Sequence, residues 1–370
     1  MRPSRRMALT QMAGAVSAAG LGINSGNVSF AAQAADYPVV RPRRLEFPKD
    51  FGAHPSFRTE WWYITGWLGQ GEQAMGFQVT FFRSKTRHAE ENPSRFAPKQ
   101  LMFAHGALAI ASQGKLLHSD RAARVGPDGV AFSEADTDVR LGNWQLKRAE
   151  QAGREQYTAQ IQGKDFSLEL QASPLFAPVL RGAGGYSAKG PLPELASFYY
   201  SRPQLQVKAR VRYGNQVQVR EGQAWLDHEW SSSLLMQGAS GWDWIGINLF
   251  DGASLMAFRI RDAQGNTLWR HVDWRDAKGR VLLASYRDGQ WTPTQRWRSP
   301  RSLVEYSVGF TLNLQGRDYE IVPLMQDQEV DARASTGGFY WEGAVTVLHR
   351  GQAIGRGYLE LTGYGEALAL

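Results

Sequence analysis

An all-β fold, built from many short antiparallel strands in barrels or sandwiches, is what this sequence predicts. Three observations carry the prediction. Apolar and polar residues alternate with period two in segments such as Ala74–Phe82 and Leu205–Tyr213. Residues with easy access to positive φ separate such segments at short intervals. No segment holds a sustained helical period, which leaves sandwiches and barrels as the architectures to expect.

Taken in order, residues 1–35 read as an export signal. Arg5-Arg6 stands directly before the uncharged stretch Met7–Ile23, and Ala32-Gln33-Ala34 supplies a small-x-small cleavage pattern. The paired arginines point to the Tat route rather than an ordinary Sec signal, and so to a periplasmic or secreted protein. Gly, Ser and Ala make the stretch too weakly apolar to favour a retained anchor. Asp36–Asp50 is basic and contains prolines, and is expected to lie extended over the surface.

From Glu60 onward the pattern is β nearly throughout. In Leu205–Tyr213, aliphatics and Tyr213 fall on one face and Gln206, Lys208, Arg210 and Arg212 on the other, as in a strand with one buried face. Gly214-Asn215, Asp251-Gly252 and Gly265-Asn266 mark tight hairpins. Two long loops are expected, 83–100 and 173–195; the second carries Phe176, Leu180 and Tyr186 and is read as a lid. Ser231–Gln237 is expected to form one or two helical turns. The composition changes at Ser231-Ser232-Ser233, which places one domain at 40–232 and a second at 233–370. Strands of the second are expected near 242–250, 254–261, 267–274, 303–312, 319–324, 338–348 and 354–361.

Composition narrows the function classes. The chain has 370 residues, enough for about two domains. Its formal net charge is +7, and loss of Arg2, Arg5 and Arg6 with the signal leaves about +4. No run of five basic residues accompanies that charge, so nucleic acid is not an expected partner. There are no cysteines, which excludes disulfides, thiol catalysis and a lipidated cysteine anchor. No Gly-rich phosphate loop follows a strand, no Gly-x-Ser-x-Gly occurs and no metal-ligand spacing stands out, so neither cofactor nor metal is expected. The 13 tryptophans are unusual, because each indole N–H wants a partner.

Two stretches concentrate aromatic and ionisable residues: His54–Leu68, and Ala224–Trp230 with Gly241–Trp244 behind it. They are read as facing walls of one ligand site. Trp61, Trp62, Trp230, Trp242 and Trp244 would line it, Glu60, Asp227 and His228 would hold the ligand's polar end, and His54 either joins the pocket or caps the entry of the strand. Strand alternation puts His228 and Trp230 on one face and Asp227 and Glu229 on the other. An imidazole against indoles is partly desolvated, which favours its neutral form. His228 would act as a general base or bond the ligand; otherwise it is a structural histidine bridging the domains. Glu60 is either a proton donor of raised pKa or the partner of Arg58 or another arginine.

These motifs, His54-Pro55-Ser56-Phe57-Arg58-Thr59-Glu60-Trp61-Trp62-Tyr63 and Gly222–Trp230 with Gly241-Trp242-Asp243-Trp244, resemble the carotenoid 1,2-hydratase/AttH-like family, which includes predicted secreted hydrolases. The resemblance covers roughly residues 40–368. It implies two consecutive lipocalin-like β domains with a ligand cavity at or near their contact. His228 and Trp230 match that family's histidine and tryptophan. The strand of its catalytic aspartate aligns with Leu255–Ile260, where Phe258 fills the aromatic place and Arg259 stands where the acid is expected. AttH-like members tend to accompany ABC transporter components. The leading expectation is therefore an exported protein that binds a large apolar ligand, a lipid or isoprenoid, and works with an envelope ABC transporter. The alternatives are an isoprenoid hydratase or cyclase, or a secreted hydrolase, using His228 with Asp227 or Glu60; or an envelope protein whose aromatic cluster is only core.

Overall fold

The computed structural model describes residues 37–88, 91–94, 96–126 and 129–368; the export-signal reading of residues 1–35 lies outside them. The described chain is almost entirely antiparallel β. The first sheet holds β1 (Thr59–Leu68), β2 (Met75–Lys85), β3 (Gln100–Ile110), β4 (Lys115–Arg124), β5 (Val130–Phe132), β6 (Asp138–Leu141), β7 (Trp144–Gln151), β8 (Arg154–Gln162), β9 (Phe166–Ser173), β10 (Val179–Leu180), β11 (Tyr186–Ala188), β12 (Ala196–Tyr213) and β13 (Gln216–Ser233). The second holds β14 (Gly241–Leu249), β15 (Ser254–Arg261), β16 (Thr267–Arg275), β17 (Val281–Ser285), β18 (Gln290–Arg298), β19 (Glu305–Leu314), β20 (Arg317–Pro323), β21 (Glu329–Asp331), β22 (Phe339–His349) and β23 (Gln352–Leu361).

The two sheets repeat one design. In the first the order is β4-β3-β2-β1-β13-β12-β9-β8-β7, extended by β6 and β5; in the second it is β17-β16-β15-β14-β23-β22-β20-β19-β18. In each, the first strand pairs with the last, so the sheet curls towards closure. These are two consecutive lipocalin-like barrels.

Alternation decides what each barrel buries. Trp62 and Ile64 of β1 and Leu226, His228 and Trp230 of β13 point into the first barrel, whose core also takes in Phe77, Val79 and Phe81. Ile245, Ile247, Val345 and Leu359 do the same in the second. The outward faces of β1, β12, β13, β14, β15 and β23 form a third apolar cluster, with Tyr63, Trp67, Tyr199, Trp225, Trp244, Met256, Phe258 and Tyr358, which joins the barrels. Two outward glycines permit the approach. A Cβ on Gly76 would lie 2.7 Å from that of Ala344, and one on Gly246 would lie 2.9 Å from the Trp225 ring.

Several expectations need correction. The segment after residue 36 does not merely cross the surface, because Val40, Leu45 and Phe51 enter the first core and Asp50 is buried. Ser231–Gln237 makes no helical turn: β13 runs on to Ser233, and the Ser231 hydroxyl accepts from the Ser233 N–H. The 173–195 stretch is not a free lid. β10 and β11 add to β12, Trp269 donates to the Ala188 carbonyl from the second barrel, and Phe176 alone of its three aromatic and aliphatic markers is exposed. Strands β17 and β18 were not expected; β18 contains Pro293 and is largely exposed, so its sequence lacks an apolar stripe.

Candidate functional site

β13 divides the predicted site in two. Because neighbouring side chains point to opposite faces, His228 and Trp230 enter the first barrel while Asp227 and Glu229 face the second. The register sets Glu60 opposite Trp230 and Trp62 opposite His228 on one side, and Glu60 opposite Arg83 on the other.

Inside the first barrel these residues form a closed ionic plug. Glu60 Oε1 lies 2.9 Å from both His228 Nε2 and His54 Nδ1, and Oε2 accepts from Arg83 Nε at 2.9 Å. A carboxylate only accepts, so His228 carries its proton on Nε2 and Nδ1 accepts from the Tyr200 hydroxyl at 3.2 Å. Burial holds the His228 pKa down despite Glu60, and the ring stays neutral. His54 faces Glu60 with one nitrogen and Asp50 with the other; against burial, these two carboxylates raise its pKa, so both nitrogens carry protons. Burial would lift Glu60, but the hydrogen bonds from His228 and His54 and the Arg83 charge bring it well below the usual carboxylate range. Every nitrogen of Arg83 is engaged, with Nη1 on Gln100 and Nη2 on the carbonyls of His54 and Phe57. His54 stacks on Trp230 at 3.6 Å between centroids, and Trp62 stacks on His228 at 4.8 Å.

Three of these side chains are ligand types for a metal: the nearest donor atoms of His54, Glu60 and His228 lie within 4.8 Å of one another. Each of those atoms already has a hydrogen-bond partner in the plug. Arg83 supplies the positive charge beside Glu60 that a cation would supply.

The other face of β13 meets the second barrel. Trp225 Nε1 and the Ser201 hydroxyl donate to Asp227 Oδ1, and the Tyr199 hydroxyl donates to Oδ2 at 2.7 Å. Trp244 of β14 donates to that same Tyr199 oxygen at 3.0 Å, linking the barrels. Burial pushes Asp227 up to about 6, against those hydrogen bonds and the Arg181 charge. Glu229 is held by Lys189 at 2.8 Å, and the Lys189 ammonium sits 4.2 Å from the Phe258 ring centre.

Beside this cluster a cleft of about 450 Å³ opens between the barrels, lined by Thr65, Trp67, Trp225, Gly246, Arg356 and Tyr358. It lies within the roughly 300–1,000 Å³ typical of small-ligand sites. Its margins are pinned across the seam. Trp67 Nε1 donates to the Gly357 carbonyl at 2.9 Å, Asn248 Nδ2 to that of Ala224 at 3.0 Å, and Arg356 to that of Gly69 at 3.2 Å.

The structure thus brings His54, Glu60, Trp62, His228 and Trp230 together inside the first barrel. It places Trp61 and Asp227 on the far side of that sheet and Trp242 and Trp244 on the second sheet, at the seam. The expected single pocket becomes a packed plug and a separate cleft, because one residue of offset along a strand reverses the face. Of the aromatic walls of the cleft, Trp67 and Tyr358 were not assigned to the site from the sequence, and Trp225, expected near the wall of His228 and Trp230 if the strand bends, faces the other way. Trp67 and Trp225 carried a usable signal, since each alternates outward from Trp62 and Leu226.

Comparison with known proteins fits this architecture. The AttH-like family pattern matches residues 38–364. The crystal structure of a provisionally assigned AttH from Nitrosomonas europaea is 45% identical, with a TM-score of 0.82 over 89% of this chain and 99% of its own. Kievitone hydratase from Nectria haematococca shares the fold at 13% identity, with a TM-score of 0.64 over 89% of this chain and 94% of its own. CghA in complex with Sch210972 shares it at 12% identity, with a TM-score of 0.52 over 84% and 89%. No curated protein matches. The chain belongs to the AttH-like family.

Proposed function

We propose that this protein binds a large apolar ligand, a lipid or isoprenoid, in the cleft between its barrels. The observation that carries the reading is the cleft itself, about 450 Å³ with the indoles of Trp67 and Trp225 on its walls. The first-barrel interior supports it by contrast, since Trp62, His228 and Trp230 there are fully buried and packed against one another. Export by the Tat route and action with an envelope ABC transporter complete the proposal. Titrating lipids and isoprenoids while following tryptophan emission tests it. Binding is expected to shift the emission, and the Trp67→Phe/Trp225→Phe variant is expected to lose most of that response. A flat titration with every apolar ligand rejects the reading.

A second reading, a hydratase- or cyclase-like enzyme, is favoured by Asp227. Its carboxyl, pushed up to about 6, lies among Trp225, Tyr199 and Trp244. Protonating an alkene needs an acid in a dry site with aromatic faces near the resulting cation. Kievitone hydratase shows that this fold can house a hydratase. In this version Asp227 takes the acid's part, and His228 and Glu60 hold the wall behind it. Turnover of an isoprenoid that persists in Asp227→Asn removes the reading.

A further inference from the structure

The cleft wall leads to a group of polar side chains that the preceding reading leaves unused. Tyr358 of β23 faces the cleft, and Glu360 follows on the same face. The register sets Glu360 opposite Glu342 of β22, and Tyr358 opposite Ala344. Glu342 is 2% exposed and lies beside Tyr63, Tyr340 and Gln78, yet its Oε1 makes no hydrogen bond of good geometry, and neither do the buried hydroxyls of Tyr63, Thr65 and Tyr358. Nearby Tyr340 differs, because its hydroxyl is bonded to Gln78 and to His105 Nδ1.

A buried polar atom without a partner costs about 1–3 kcal/mol, and native proteins hold few of them. Four at one seam, contributed by β1, β22 and β23, are not explained by packing, for which Phe and Val would serve better. Burial and the neighbouring Glu360 charge raise Glu342 well above its usual range, and burial lifts Glu360 to about 7. The charged form of Glu342 is disfavoured there, and in the protonated form its carboxyl can donate as well as accept.

We propose that Glu342, Tyr63 and Tyr358 hydrogen-bond the polar end of the cleft's ligand, and that this end is an uncharged hydroxyl or carbonyl oxygen on an otherwise apolar molecule. The inference rests on the cleft being the ligand seat. Hydroxyls and a protonated carboxyl complement such an oxygen in both directions. A carboxylate or phosphate head would meet the Glu342–Glu360 pair, and a cationic head would lose its water without a full counter-charge.

The test compares probes of one chain length that differ only at the head: dodecanol, 2-dodecanone, dodecanoate and dodecyltrimethylammonium, followed by tryptophan emission and calorimetry. The alcohol and ketone are expected to bind at least about tenfold tighter than either ion, as one or two buried hydrogen bonds imply. Two variants, Tyr63→Phe/Tyr358→Phe and Glu342→Leu, remove unpartnered groups, so each is expected to fold with an unchanged or higher Tm and to lose that preference. Binding without head-group preference, a preference for either ion, or a preference that survives in both variants overturns this inference and leaves the cleft reading standing. Binding of none of the four overturns both.

Discussion

The two barrels solve one problem with different side chains. In the first, Glu60 of the opening strand faces inward and pairs with Arg83, its register partner on the next strand. In the second, Asp243 of the opening strand faces inward and pairs with Arg259, its register partner, and with Arg261 two residues on. The first pair is surrounded by His54, His228, Trp62 and Trp230; the second by Tyr364, Trp291 and Phe310. An acid–arginine plug at the same place in both barrels marks the fold's architecture. The histidines, which looked most like chemistry, are additions to the plug that has more to satisfy.

The largest effects should come from breaking the plugs. Asp243→Ala leaves two buried guanidiniums without their carboxylate, and Glu60→Ala leaves buried Arg83 without its own, while His54 keeps Asp50. Removing one partner of a buried pair costs about 3–5 kcal/mol. Urea denaturation should find both variants in that range, with Asp243→Ala at its upper end; a loss under 1 kcal/mol in one barrel only would break the comparison.

Asp227 offers a pH test on the seam side. Its carboxyl is raised to about 6 in the folded state, above its unfolded value, so the folded protein takes up the proton first. Its contribution to stability is full below about pH 4 and is lost as pH rises through 6. Glu60 and Asp50 have the opposite sign: both lie below their unfolded values, and their contribution fades only under about pH 4. Between pH 6.5 and 4.5 the wild type should therefore gain about 2 kcal/mol relative to Asp227→Asn. Parallel stability curves for the two would sink this assignment. The smallest effect sharpens the comparison further. His228→Ala should cost about 2 kcal/mol through the lost bond to Glu60 and a small cavity, yet leave the emission response to apolar ligands intact. Loss of that response at unchanged stability would return His228 to the ligand site.

Much of this was legible in the sequence. Period-two alternation located most strands, and Ser254–Arg261 was placed to the residue. Alternation also foretold that His228 and Trp230 share a face opposite Asp227. It could not say which arginine meets Glu60, because the partner is chosen by the β1–β2 register across a hairpin, and Arg83 had been assigned to a loop. It could not join Glu342 to Tyr63, which are brought together only when the barrels dock. A faint signal existed in Tyr340-Trp341-Glu342 and Tyr358-Leu359-Glu360, two strands that each present a tyrosine and a glutamate on the face away from the core. β17 and β18 stayed hidden because polar exposed strands carry no apolar stripe.

The hydrogen bonds pinning the cleft's margins bear on how a guest could enter. With Trp67, Asn248 and Arg356 each anchored on the opposite barrel's backbone, the barrels are not free to swing apart as doors on a hinge. Admission would then select by cross-section, favouring slender, flexible chains that thread in over rigid fused rings that need the walls to part.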